Sequence, residues 1–219
     1  MTSPSRSSEW SRRLSLLYTP VVADVLDRMG YRSQCPRADI RPLVAGLTIA
    51  GVARTVQTIP APEIAPAEPY KGEMAAVDAL GPGDVLVVSP CDWSFWGELL
   101  STAARHRGCH GVVIDGFTRD TRAIKAMGFP VFCRGIHPAD SLGRLDVTAH
   151  DVPITCGGVS VNPFDLILAD DDGIVVMPRE AAEEAIAHAE HKVRGENMVR
   201  QKLSEGMSVT EAFRRYGVL

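Results

Sequence analysis

Between Trp96 and Gly135 the chain switches, almost without spacers, between helical and strand periodicity, and this alternation leaves few folds open. WGELLSTAARHRG has the spacing of a helix. GVVIDG is a short apolar run bounded by glycines, the pattern of a strand buried on both faces. TRDTRAIKAMG returns to helical spacing, and PVFCRG reads as a second short strand. Helix, strand, helix and strand in this order indicate an α/β domain.

The flanking segments extend that domain. In PVVADVLDRM, residues Val21, Val22, Val25, Leu26 and Met29 share one helical face, with Gly30 as a stop and Asp24 and Asp27 off the main stripe. LVAGLTIAGVARTVQTI alternates and contains Gly46 and Gly51, which suggests strands with a bulge or turn. PAPEIAPAEP is a Pro-rich loop. It is followed by a helix near Met74 to Ala79, a turn at GPGD and the strand DVLVVS. VTAHDVPITCGGVSV and DLILADDDGIVVMP read as further strands, and Arg179 to Tyr216 is helical and strongly charged. The expected organisation is a polar N-terminal segment with a frayed start (residues 1–18), an α/β core with a mixed sheet (19–178) and a C-terminal helical extension (179–219). That extension is either solvated or packed on a neighbouring subunit.

Charge and cysteine usage narrow the function classes. A net charge of −4 gives no general attraction to nucleic acid or to anionic membranes. No apolar run approaches the roughly 20 residues of a membrane span, and the Ser/Arg-rich start does not read as a secretory signal. The five cysteines are scattered without a CxxC pair, so neither a disulfide framework nor a zinc ribbon is indicated. Cytoplasm is the expected compartment.

Two features of the alternating stretch could carry chemistry. Gly97 opens a helix, so the N–H groups around Leu99 and Leu100 lack intrahelical acceptors and suit a carboxylate or phosphate. Arg119-Asp120 follows the strand that ends in Asp115-Gly116, where α/β proteins assemble sites. An adjacent Arg and Asp could grip an enolate or carboxylate and hold a divalent cation, or could simply cap a helix and form a surface ion pair. Asp170-Asp171-Asp172-Gly173 reads as a hairpin turn rather than a metal loop. Cys109 and Cys133 read as small core residues, and the histidines show no metal-ligand spacing.

WGELLSTAA, GVVIDGFTRD, GFPVF, ADDDGIVVMP and ENMVRQKLSEGMSVTEAFRRYGVL together resemble the RraA-like family, from about Thr19 to Leu219. That family includes 4-hydroxy-4-methyl-2-oxoglutarate and 4-carboxy-4-hydroxy-2-oxoadipate aldolases. Glu98, twenty intervening residues and Arg119-Asp120 match the spacing of its active members, with Glu where Asp is more usual. The resemblance implies a single α/β domain with a swivelling β/α/β-type core, assembled as a homotrimer or hexamer. It also implies a class II lyase that uses Mg²⁺ or Mn²⁺ on a small 2-oxo acid, with oxaloacetate decarboxylation as a companion activity. By the same resemblance the pyruvyl carboxylate would meet Gly97, Leu99 and Leu100, Arg119 would contact the C2 oxygen, and Asp120 would hold the metal. Glu98 would steer a metal-associated water as base. Asp24 and Glu196 are further acidic candidates, the latter reaching a neighbouring site. The lead-in VVSPCDWSF is poorer in glycine than relatives are, which bears on the pocket beyond substrate C4. The family also contains regulators of a ribonuclease, so a protein-binding role without catalysis is the alternative, along with action on another 2-oxo acid.

Overall fold

The strands alternate between two faces, and each face feeds a different core. The computed structural model describes residues 4–217, with side chains from Ser8 onward. Helices α1 (Pro4–Leu14) and α2 (Thr19–Arg28) precede strands β1 (Arg41–Pro42) and β2 (Ile49–Pro60), helix α3 (Lys71–Asp78) and strands β3 (Asp84–Val88) and β4 (Ser94–Trp96). Then come α4 (Glu98–His106), β5 (Gly111–Thr118), α5 (Thr121–Met127), β6 (Val131–Ile136) and β7 (Leu145–His150). Two hairpins follow, β8 (Ile154–Cys156) with β9 (Val159–Val161) and β10 (Leu166–Asp170) with β11 (Gly173–Met177). A 3-10 turn leads into α6 (Ala182–Ser204) and α7 (Val209–Tyr216).

Among the described residues one nine-stranded mixed sheet runs in the order β1-β6-β5-β3-β2-β10-β11, with β4 added to β5 and β7 to β2. Its ends are drawn together by Arg41 on β1, whose guanidinium donates to the Asp171 and Asp172 carbonyls in the β10–β11 turn at 3.0 and 2.9 Å. The sheet is therefore nearly a closed barrel. Val85, Val87, Val113, Phe132, Ile167 and Ala169 point inward and pack with the β8–β9 hairpin. Their neighbours Leu86, Val88, Val112 and Ile114 point outward beneath residues of α3 and α4, and Leu166 and Leu168 lie beneath α1, α2 and α6. This is the period-2 alternation of strands with both faces buried.

Three expectations change. β2 is one unbroken strand: Gly51 lies within it because a Cβ there would stand 2.5 Å from the Gly83 carbonyl oxygen of the neighbouring chain segment. The start of the N-terminal segment expected to be frayed, residues 1–3, lies outside the described residues, and Pro4–Leu14 of that segment forms α1, with Trp10 and Leu14 buried. Trp10 Nε1 donates to Glu183 at 2.7 Å and Arg13 bonds Glu190 at 2.8 Å, tying α1 to α6. The first half of α6 is solvated on one face only: Ala182, Ala185, Ile186 and Ala189 are buried in the chain's own core with α1 and α2, while Glu183, Glu184, Ala187 and His188 are exposed. The acidic run resolves as the expected hairpin turn, and it is also a clasp. Asp170 accepts both the N–H and the hydroxyl of Thr19 at the start of α2, and Asp171 accepts the N–H of Gly46.

No helix among the described residues is long and apolar enough to cross a membrane. If α1 is part of the core, Leu14→Ala should cost about 2–5 kcal/mol in urea unfolding; a change under about 0.5 kcal/mol would make α1 peripheral.

Candidate functional site

Two turns at the same edge of the sheet build the site. β4 runs parallel to β5, so the chain leaves both strands on one side and enters α4 and α5 next to each other. The turns are stitched by the Arg119 N–H and the Thr118 hydroxyl, which both donate to the Trp96 carbonyl, at 2.9 and 3.0 Å. Trp96 itself is buried, and its indole N–H donates to the buried Ser101 hydroxyl at 2.7 Å.

Asp120 sits at the N-cap of α5 in the left-handed region, φ +54°, a conformation that Asp tolerates better than most residues. It does not cap its own helix. Its Oδ2 accepts the Glu98 N–H at 3.1 Å, in the first turn of α4. This approach requires residue 97 to lack a side chain: a Cβ on Gly97 would lie 2.6 Å from Asp120 Oδ2. The N–H groups of Leu99 and Leu100 find no acceptor among the described residues, and the Leu99 side chain is 78% exposed. Glu98 accepts the Thr102 hydroxyl on one carboxylate oxygen, at 2.8 Å. The predicted set Gly97, Glu98, Leu99, Leu100, Arg119 and Asp120 is thus brought to one place.

Arg119 is half-buried between two carboxylates. Its Nε lies 3.8 Å from Asp120 Oδ2 and its Nη1 3.1 Å from Asp140 Oδ1. Asp140 also accepts the Tyr70 hydroxyl and, at 2.7 Å, the Ser141 N–H. Burial would raise the Asp140 carboxyl, but the Tyr70 and Ser141 donors and the Arg119 charge outweigh it and hold the group below its ordinary range. The next acid, Glu73 on α3, is buried among Ser141, Asp140 and Asp146, and desolvation pushes it from 4.5 up to about 7. Glu73, Tyr70, Ser141 and Asp146 share the wall of a cavity of about 500 Å³ beneath the Pro-rich loop.

Asp24 and Glu196 are not joined to this group within the chain. Both pair instead with the buried Lys192, and Glu196 accepts the Tyr18 hydroxyl. Sequence reading missed Tyr70, Glu73 and Asp140. The lone Tyr after the Pro-rich loop was the only local signal, and nothing local announced its left-handed backbone, φ +59°. Cys109 and Cys133 are core thiols raised by burial to about 11, as expected of inert packing residues.

Among the described residues no group of three or more His, Cys, Asp or Glu could hold a metal ion. Asp120 offers one oxygen, Oδ1, without a partner among those residues. If a metal is held here, a single carboxylate oxygen matches Mg²⁺ or Mn²⁺, which keep most of their waters, better than zinc.

The nearly closed α/β barrel thus brings a helix N-terminus, an arginine and a lone carboxylate to one strand edge. Residues 19–176 match the family model described as RraA-like, Aldolase/RraA, and the chain belongs to that family. It is 32% identical over 198 residues, covering 89% of each chain, to a Halalkalibacterium halodurans protein with the provisional name 4-hydroxy-4-methyl-2-oxoglutarate aldolase. It is also similar to the crystal structure of an uncharacterised Pseudomonas syringae protein, with TM-score 0.86, 28% identity and coverage of 95% and 94%. Streptomyces coelicolor RraAS2, described as an unusual member of the RNase ES inhibitor RraA protein family, aligns with TM-score 0.81 and 31% identity, covering 89% of this chain and 98% of that one.

The Glu73 carboxyl makes stability pH-dependent with a definite sign. The folded state favours its protonated form, with a value of about 7, whereas the unfolded chain ionises near 4.5. Stability should therefore decline as pH rises through that interval and level off above it. In urea unfolding between about pH 5 and about pH 8, Glu73→Gln should flatten this decline. A variant with the wild-type slope would contradict the assignment.

Proposed function

We propose that this chain is a divalent-metal-dependent carbon–carbon lyase. Its substrate would be a 4-hydroxy-2-oxo dicarboxylic acid such as 4-hydroxy-4-methyl-2-oxoglutarate, cleaved to pyruvate, with oxaloacetate decarboxylation as a companion activity. The observation that carries this reading is the contact of the Asp120 carboxylate with the first turn of α4, beside Arg119 and the unpartnered Leu99 and Leu100 N–H groups. The name of the H. halodurans relative points to the same chemistry.

The uncommitted N–H groups of Leu99 and Leu100, at the positive end of the α4 dipole, receive the C1 carboxylate. Arg119 donates to the C2 oxygen. When the C3–C4 bond breaks, its electron pair moves onto the pyruvyl fragment as an enolate, and the C4 hydroxyl oxygen becomes the carbonyl of the departing fragment. Arg119 therefore faces charge that is larger in the transition state than in the substrate, which is where a fixed cation accelerates a reaction. Mg²⁺ or Mn²⁺ held at Asp120 would add Lewis-acid stabilisation of the same oxygens. Glu98, anchored by Thr102 through one oxygen, keeps the other for steering the proton from the C4 hydroxyl. Protonation of the enolate at C3 then yields pyruvate. The decarboxylation of oxaloacetate leaves the same enolate, so one site serves both reactions. A homotrimer or hexamer, with the Asp24–Lys192–Glu196 cluster of one subunit facing the site of another, belongs to this reading.

Similarity to RraAS2 favours one alternative, a protein-binding regulator without catalysis. Pyruvate release coupled to lactate dehydrogenase separates the two. Chelator-stripped protein should regain turnover of oxaloacetate or 4-hydroxy-4-methyl-2-oxoglutarate when Mg²⁺ or Mn²⁺ is added. Arg119→Ala and Asp120→Ala should each lower kcat/KM by about 10²-fold or more. Turnover that survives both substitutions would remove this site from the account, and turnover of neither substrate would favour the regulator.

A further inference from the structure

We propose that Asp140 is the positioning residue that aims Arg119, and that the start of α3, through Tyr70 and Glu73, holds Asp140 in that role. This rests on the reading of Arg119 as the substrate-gripping cation, and adds to it a control that lies outside the two turns bearing the matched motif.

An arginine side chain has four rotatable bonds and gains selectivity only when its guanidinium is held in one orientation. Arg119 is 35% exposed, so packing alone does not hold it. Asp140 does, at 3.1 Å from Nη1, and Asp140 is itself fixed at both oxygens. The Ser141 N–H and Arg119 meet Oδ1, and the Tyr70 hydroxyl meets Oδ2. A carboxylate with this many donors stays ionised, and so remains a constant counter-charge for Arg119. Tyr70 takes a left-handed backbone at φ +59° to present its hydroxyl there. Such strain in a bulky side chain persists only where surrounding structure enforces it.

Glu73 is the variable element. It lies one turn along from Tyr70 and is 6% exposed. The ionisable groups facing it are Asp140 and Arg119 on one side and Asp146 of β7 on the other, with Ser141 hydrogen-bonding it. The α4 residues clustered with Ala76 and Val77 of α3 are apolar, Leu100, Ala103 and Ala104. The nearby Arg107 pairs with Asp78 at the far end of α3, and Lys71 pairs with Glu68. While Glu73 is protonated, Asp140 and Asp120 are the carboxylates paired with Arg119. When it ionises, a further negative charge joins Asp146 in the cavity wall beside Asp140 and competes with an anionic substrate for the guanidinium. The consequence is a KM that rises above neutral pH.

The test uses the full-length protein with Mg²⁺ and oxaloacetate, with steady-state kinetics from about pH 6 to about pH 9. Asp140→Asn should raise KM about tenfold with a smaller effect on kcat, Asp140→Glu should restore part of it, and Tyr70→Phe should raise KM severalfold. Glu73→Gln should abolish the alkaline rise in KM. A second readout does not need turnover: the Arg119 side-chain Nε–H signal in ¹⁵N NMR, assigned by its loss in Arg119→Lys. It should be sharp in the wild type and broadened or shifted in Asp140→Asn. Asp140→Asn with wild-type KM, or an unchanged Arg119 signal, would overturn the proposal. Absence of wild-type turnover would instead count against the lyase reading, and the NMR comparison would still decide whether Asp140 aims Arg119.

Discussion

The site depends on one hydrogen bond between two turns: the Asp120 carboxylate accepting the Glu98 N–H, across a gap that the absent Gly97 side chain leaves open. Without it the start of α4 and the start of α5 would be two ordinary helix N-termini. With it, backbone donors, a guanidinium and a carboxylate converge at one place, and the carboxylate keeps Oδ1 uncommitted. The parallel pairing of β4 with β5 makes this possible, because it brings both turns to the same edge of the sheet.

The sheet can serve as a mount because it is packed on both sides. Its inner face closes on the β8–β9 hairpin, its outer face is covered by helices, and few side chains in between can move without opening a void. Charge reinforces this close to the site. Asp115, on the strand that leads to Arg119, is fully buried and meets Arg37 at 2.8 Å, Arg134 at 3.2 Å and the Gly157 N–H at 2.8 Å. A buried carboxylate so compensated adds modest net stability, but removing one partner would leave a charge stranded, at a cost of about 3–5 kcal/mol. The end of β5 is therefore held from several directions before Arg119 begins.

How much of this was readable in the sequence followed the distance over which each feature is encoded. The alternation from Trp96 to Gly135, the hairpin at Asp170–Gly173 and the Glu98 to Arg119-Asp120 spacing are local patterns, and the structure brings those residues together. The family resemblance, carried by the same motifs, agrees with the match over residues 19–176. Features created by contact were not readable. Gly51 looked like an interruption because only the fold brings the Gly83 carbonyl against it. The polar residues of the first segment masked Trp10 and Leu14, whose helix is too short to be stable alone and draws its order from α6. Tyr70 and Glu73 come from the start of α3 and Asp140 from the segment between β6 and β7, and nothing in their local sequence connects them to Arg119. Asp24 and Glu196, the further acidic candidates, both pair with Lys192 within the chain, a contact between separate helices that no local pattern announces.

The central claim is that Asp120 holds a divalent cation where Arg119 and the α4 N-terminus hold a 2-oxo acid. Electron paramagnetic resonance of Mn²⁺ titrated into metal-free protein, with and without oxalate as a mimic of the pyruvate enolate, tests it without relying on turnover. The account predicts one bound Mn²⁺ per chain, tighter binding when oxalate is present, and loss of both effects in Asp120→Ala. Mn²⁺ binding that is indifferent to Asp120 and to oxalate would contradict it.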